Sequence, residues 1–473
     1  MKTNKHIRYL ILRNASYFLS FLNLLLISNI LSEDLFSSWS FIIIIITYLN
    51  TLNFGTPYSI NFYVIKYKHV KINEYLSNGL FFYFITSIIV FTIALFFAKF
   101  GGGLYERYIS TDQLFIILSI SLLFQLNTLL ANISRGTNKL DPVWAFQIIQ
   151  PLMYFFILMI TQNNANLINN LLYSNIAGQV ISISIFSIYL RNDMVLRAQL
   201  VSLRIIKKII RKSLFLFIYN ISFSYIILSS RLIISANYSV EIFARFSFWL
   251  MIGTAFGLFL EAVAFVVFPK LIDLINSKEP QSKRFFNRLK EAYINLNSLF
   301  LFTPILFLPL IKHLPINYSE YAQMFVAVSL ALYFQSNLFG FNAWFIGNEK
   351  EKKLALINAV ILFFHVFCSI ILTSFFSISA INLFNISSLS YIILFVVYHW
   401  QVNLYTQKDE IKINPLPQTK NISVLIIFAG SALNSSWVSV IGVLIYFALS
   451  MPNFINLKNT IIELKDNPNS INI

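Results

Sequence analysis

The residues of this sequence that could do chemistry are few, and they sit in apolar surroundings. Glu261 is the clearest, midway along an apolar stretch at about 242–268. An ionisable side chain there is costly unless it faces a bundle interior or a wet cavity. Gly253, Gly257 and Glu261 recur every four residues, so they share one helix face, where small residues permit close packing. A carboxylate on that face can bind a proton or a cation, or pair with a substrate-binding arginine. An interhelical hydrogen bond is the structural alternative, and both stay open. Arg231 and Arg245 flank a short connection between two apolar stretches, and Arg13, Lys66 and Arg135 stand at the opposite helix ends. Such cations either bind phosphate in a cavity, for which Arg is suited by geometry, or snorkel to lipid headgroups. His365 and His399 are placed to carry protons, or to satisfy one buried hydrogen bond each.

Several kinds of chemistry lack their residues. No glycine loop ending in Lys-Ser/Thr cradles a phosphate, so no ATPase is encoded. No His/Cys/Asp group has metal-ligand spacing, and the one cysteine, Cys368, lies in an apolar run. These absences and the short loops predict a protein that is not an enzyme and holds no cofactor, with coupling to a proton or sodium gradient left open.

The elements that must position these residues are helices in a membrane. The chain has 473 residues, 57% hydrophobic and 11% charged, with a mean hydropathy of +0.71. A soluble chain carries about a quarter charged residues. Apolar stretches at about 9–30, 38–64, 77–98, 113–134, 143–160, 167–190, 213–235, 242–268, 292–311, 318–346, 354–375 and 378–403 mostly reach the roughly 20 residues that cross a bilayer. Most of the 35 Lys and Arg fall on one side of this parse. The other side carries only Lys99, Arg107, Arg231, Arg245 and Lys312. That asymmetry places the N-terminus in the cytoplasm, and it makes the net charge of +16 a topology signal rather than a nucleic-acid footprint.

The chain also repeats itself. Phe124-Gln125-Leu126-Asn127 and Gly136-Thr137-Asn138-Lys139 close the fourth stretch. Phe334-Gln335-Ser336-Asn337 and Gly347-Asn348-Glu349-Lys350 close the tenth. An even number of helices per half makes the repeats parallel. The expected fold is an all-α polytopic transmembrane bundle of two parallel six-helix repeats, 1–190 and 213–405. A basic linker, 191–212, joins them as an amphipathic helix lying on anionic lipid. A C-terminal extension, 406–473, carries an apolar block at 422–450 broken at Asn434-Ser435-Ser436. It reads as a hydrophobic hairpin, giving about 14 spans in all.

The opening Lys5-to-Ser16 segment and Asn53-Phe54-Gly55-Thr56-Pro57 with Lys66 carry a resemblance to a known family. Arg135-Gly136-Thr137-Asn138-Lys139 and Gly347-Asn348-Glu349-Lys350 extend it over about residues 1–405. The sequence resembles the multidrug/oligosaccharidyl-lipid/polysaccharide exporter superfamily, most of all its polysaccharide branch, the O-antigen-type flippases of lipid-linked oligosaccharides. The resemblance implies an undecaprenyl-diphosphate-linked oligosaccharide turned from the cytoplasmic to the outer leaflet of a bacterial inner membrane by alternating access. It implies work for lipopolysaccharide or capsule assembly beside a polysaccharide polymerase and a chain-length regulator, with no nucleic acid. Under it Arg13, Lys66, Arg231 and Arg245 would handle the diphosphate, and Glu261 and His365 would couple the cycle. An ion-coupled multidrug antiporter of the same superfamily is the alternative. A polymerase or lipid-linked glycosyltransferase would need a large outer loop, which this sequence lacks.

Overall fold

A computed structural model describes residues 5–57, 59–60, 63, 72–100, 106–137, 139, 141–161, 166–191, 201–255, 257–258, 293, 296–297, 300–301, 303–304, 322–406, 426–427, 429–430, 438 and 441–446. Every regular element among them is helical: α1 (Lys5–Ile30), α2 (Glu33–Thr51), α3 (Ile72–Phe100), α4 (Thr111–Gly136), α5 (Asp141–Ile160), α6 (Leu167–Leu190), α7 (Leu203–Asn237), α8 (Ala322–Asn337), α9 (Phe339–Gly347), α10 (Glu351–Phe376) and α11 (Ala380–Thr406). A further helical stretch covers 240–255. Among the described residues ten helical stretches are long and apolar enough to cross a bilayer. They correspond to the expected spans one to seven and ten to twelve. Most of the expected span nine, the part of span eight that holds Glu261, and also Lys66, lie outside the described residues.

The surface of these helices is the reverse of a soluble protein's. On α10, Phe363 is 65% exposed and Phe376 68%, while Asn127 and Gln179 are buried. Large apolar side chains turned outward and amides turned inward suit a hydrocarbon solvent, in which polar groups must find partners inside the protein. The chain is a multi-pass membrane protein.

It divides into two compact units, 1–247 with 354–359, and 248–353 with 360–473. In the first, α1 packs on α5, α5 on α6, α6 on α4 and α4 on α2, while α7 packs on α2 and α3. In the second, α8 and α9 pack on α11, and Trp249 stacks on Phe325 with ring centres 5.1 Å apart. A Cβ at Gly253 would stand 2.6 Å from Val328 Cγ1, so the small residue on that helix face serves close packing, as its spacing predicted.

Three local features depart from the expected parse or refine it. The second span is broken. α2 stops at Thr51, Phe54 and Gly55 take φ of +50° and +68°, and helix resumes at Thr56–Pro57, where a proline suits a first turn. The linker residues 203–212 belong to α7, which runs uninterrupted from Leu203 into the seventh span. The repeated Gly-x-x-Lys segments build the same helix end. Lys139 N–H donates to Ser134 C=O at 2.8 Å, and Lys350 N–H to Phe345 C=O at 2.8 Å, each reaching back five residues to cap a last turn.

At the C-terminus, a Cβ at Gly442 would meet Ile427 N at 2.9 Å. A single straight helix would separate those residues by about 22 Å, so the two described stretches lie side by side and not end to end along one helix. Tyr446 meets α8 through a hydroxyl contact with Tyr333 of 2.9 Å.

Candidate functional site

In the first unit α2 and α7 meet along a seam of polar groups. Arg231 is the only charged residue of α7 beyond its basic first turns, and it is 5% exposed. Its Nη2 donates to Ser40 C=O at 3.4 Å, while its Nε and the Ser40 hydroxyl are buried with no hydrogen-bond partner. No carboxylate among the described residues forms an ion pair with it. Further along the seam Tyr225 sits edge-on to Tyr48, ring centres 4.5 Å apart, and shares a 2.7 Å hydrogen bond with the Thr51 hydroxyl. Gln125 of α4 donates its amide to Leu49 C=O at 2.7 Å, so the last turn of α2 is held from two sides. The break follows. Gly55 N–H is bound by the Asn53 side chain at 2.9 Å, Phe54 stacks on Phe217, and Ser59 and Ser213 share a 2.7 Å hydroxyl contact.

Arg245, expected as a second cavity cation, is engaged instead. Its Nε lies 3.3 Å from Glu33 Oε1, both side chains 18% exposed. Ser32 caps α2 by accepting from Leu35 N–H, which leaves Glu33 in the first turn, where the helix dipole favours an anion. Beside it Tyr108 stacks on Phe41 at 4.6 Å and donates to Ser235 C=O at 2.8 Å. The Ser239 hydroxyl, and then the nearby Arg245 and Arg107, hold the Glu241 carboxyl below the usual range. A double-mutant cycle of Glu33→Ala and Arg245→Ala, read by thermal unfolding in detergent, is expected to give a coupling of about 1 kcal/mol. Strict additivity would show that the pair contributes nothing.

A second seam joins α1, α4, α5 and α6, and every group in it is neutral. Asn127 Nδ2 donates to Gln179 Oε1 at 2.7 Å, and Gln179 Nε2 donates to Asn175 Oδ1 at 3.3 Å. Asn175 donates to the Tyr154 hydroxyl at 2.7 Å, against which Trp39 packs edge-on. Pro151 explains the rest. It has no N–H, so the carbonyl four residues earlier, Gln147, loses its helical donor. Ser16 of α1 supplies one at 2.6 Å, and Asn23 donates to Pro151 C=O at 2.7 Å. Ser16→Ala is expected to cost about 1 kcal/mol in the native background, and close to nothing together with Pro151→Ala, which restores the backbone donor. Equal costs in both backgrounds, measured by unfolding in detergent, would refute the pairing.

Of the remaining expected residues, Lys66 and Glu261 lie outside the described residues, and Arg13 and His365 have their own partners. Arg13 is buried on α1, where its Nε donates to the Tyr17 hydroxyl and its guanidinium lies 5.3 Å from the centre of that ring. In the second unit His365 is 2% exposed, its Nδ1 3.0 Å from Ser390 Oγ. Ser390 spends its proton on Ile386 C=O, so it accepts from His365 Nδ1–H. Among the described residues no group of three or more His, Cys, Asp and Glu could hold a metal. Reasoning from ionisable residues missed the neutral ones, Ser40, Tyr48, Gln125, Asn127, Tyr154, Asn175, Gln179 and Tyr225. The available signal was the recurrence of amides inside apolar stretches, which in hydrocarbon demand partners.

Solved structures of membrane transporters share the fold of this multi-pass helical bundle. The lipid II flippase MurJ in an inward closed conformation matches with a TM-score of 0.68 at 14% identity, covering 95% of this chain and 99% of that one. A multidrug resistance MATE family transporter of the MOP superfamily, inward-facing, matches with a TM-score of 0.61 at 12% identity over 84% and 99%. A MOP superfamily transporter from Pyrococcus furiosus, described as having a binding pocket of reverse polarity, gives 0.56 at 13% over 84% and 95%. No curated protein sequence matches the chain. The polysaccharide biosynthesis protein family model matches residues 4–275. The chain belongs to that family.

Proposed function

We propose that this protein flips an undecaprenyl-diphosphate-linked oligosaccharide, a repeat unit of O-antigen or capsule, from the cytoplasmic to the outer leaflet of the bacterial inner membrane. The observation that carries the reading is Arg231, a buried guanidinium with an unused Nε donor and no acid paired with it among the described residues. A lone cation inside a membrane protein costs several kcal/mol, and a visiting diphosphate would repay that cost with charge-assisted hydrogen bonds. Family membership supports a substrate of this kind, and the chain shares its fold with a lipid II flippase.

In this reading Arg13 and Lys66 assist with the diphosphate, and Arg245 acts through its pair with Glu33. Glu261 and His365 couple the cycle to a proton or sodium gradient, no cofactor takes part, and the protein is not an enzyme. The N-terminus is cytoplasmic, and a polymerase and a chain-length regulator receive the product. Deletion in cells is expected to remove surface polysaccharide and leave the lipid-linked unit at the cytoplasmic face. Undiminished surface polysaccharide would overturn the reading. The likeness to a multidrug transporter favours an ion-coupled drug antiporter as the second reading, which drug resistance on overexpression would support. The seam of α4, α5 and α6 speaks against it, since its described members hold no carboxylate to carry a coupling ion.

A further inference from the structure

The first turns of α7 form a surface whose three sides differ in character. The helix has 35 residues and so runs about 52 Å, well beyond the roughly 30 Å of bilayer hydrocarbon. From Ser213 to Asn237 its only charge is Arg231, whereas Arg204, Lys207, Lys208, Arg211 and Lys212 crowd the turns before. Those turns therefore stand in the headgroup layer and just outside it.

At about 100° per residue, Ile206, Ile209 and Ser213 share one side, and all three are buried. Leu203, Ile210 and Leu214 form the next strip and are 83%, 38% and 43% exposed. Lys207, Arg211, Arg204 and Lys208 fill the arc after that, all exposed. Within 201–214 there is no acid to neutralise them. The buried side is fastened. Asn78 of α3 accepts from Ser202 N–H at 2.7 Å, and the Ser59–Ser213 contact holds the other end. The cations are thus carried on a fixed frame and need little ordering to receive a ligand.

We propose that this face binds anionic phospholipid from the leaflet at which α7 begins. Headgroup phosphates sit on Arg204, Lys207, Lys208 and Arg211, and acyl chain lies along Leu203, Ile210 and Leu214. The apolar strip selects lipid over a soluble anion. A leucine 83% exposed beside four cations is costly in water and at home where acyl chain meets headgroup. The proposal does not depend on what the protein transports.

The test uses the purified full chain reconstituted in phosphatidylcholine with spin-labelled phosphatidylglycerol or spin-labelled phosphatidylcholine as probe. The wild type is expected to retain phosphatidylglycerol several-fold over phosphatidylcholine, a preference that falls with added salt. The R204Q/K207Q/K208Q/R211Q variant is expected to lose most of that preference, and K207R/K208R to keep it. Millimolar inorganic pyrophosphate is expected to displace no labelled lipid. Full selectivity in the quadruple variant would overturn the proposal, and displacement by pyrophosphate would reassign the face to soluble anions. The single variants K207Q and K208Q, each expected to lower selectivity part-way, decide the matter should the quadruple variant fail to fold.

Discussion

Arg231→Met is expected to abolish export of surface polysaccharide while leaving the purified protein at least as resistant to thermal unfolding as the wild type. The two halves of that outcome have the same cause. Met fills much of the volume of the Arg stem and needs no hydrogen bond, so the substitution removes a buried charge held by a 3.4 Å contact to Ser40 C=O. Replacing buried charge by apolar side chains of similar volume is neutral or stabilising by about 1–4 kcal/mol. The unsatisfied Nε is the donor that the proposed diphosphate contact would use. Arg231→Lys keeps the charge but not the fork geometry, and is expected to fall between the two. Were Arg231→Met to export normally, the diphosphate role would be lost. Were it to unfold, Arg231 would be a structural residue.

Gly55→Ala is expected to be the most destabilising single-methyl change in the first unit, at about 3 kcal/mol or more. The added Cβ must occupy φ +68° and would stand 2.7 Å from Ser213 C=O and 3.3 Å from Phe217 Cβ. The carbonyl belongs to the backbone of α7 and cannot turn aside, unlike the Val328 and Leu332 side chains that face Gly253. The strain would be relieved only by moving the break in span two away from α7, which pulls apart the Phe54–Phe217 stack and the Ser59–Ser213 contact. Unfolding in detergent, with Gly253→Ala as the comparison, checks it. Equal melting temperatures for Gly55→Ala and wild type would show that α2 and α7 do not meet as described.

The sequence, read as one continuous span over 38–64, held the means of the break in Asn53-Phe54-Gly55-Thr56-Pro57, with a glycine able to take positive φ and a proline suited to a first turn. It did not show that the break faces Ser213, some 160 residues on. In the same way, the paired Gly-x-x-Lys segments announce the ends of α4 and α9, whereas α2 starts at Glu33 on the Ser32 cap and not near residue 38 as expected. All of these depend on residues within a turn or two of one another. Pro151 could be read as a gap in the hydrogen bonding of α5, yet its remedy, Ser16, lies 131 residues away.

What the sequence by itself determined is what hydropathy, charge and capping decide locally: an all-helical membrane chain, the places where most of its helices begin and end, and the internal repeat. Tertiary structure alone decided which polar groups meet. It paired Arg245 with Glu33 across 212 positions and left Arg231, equally basic and equally close to a helix end, with Ser40 C=O across 191 and no acid among the described residues. The two arginines look alike in the sequence because residue type sets the charge a side chain carries. Packing sets what that charge touches, and in a bilayer that difference separates a structural tie from a candidate binding site.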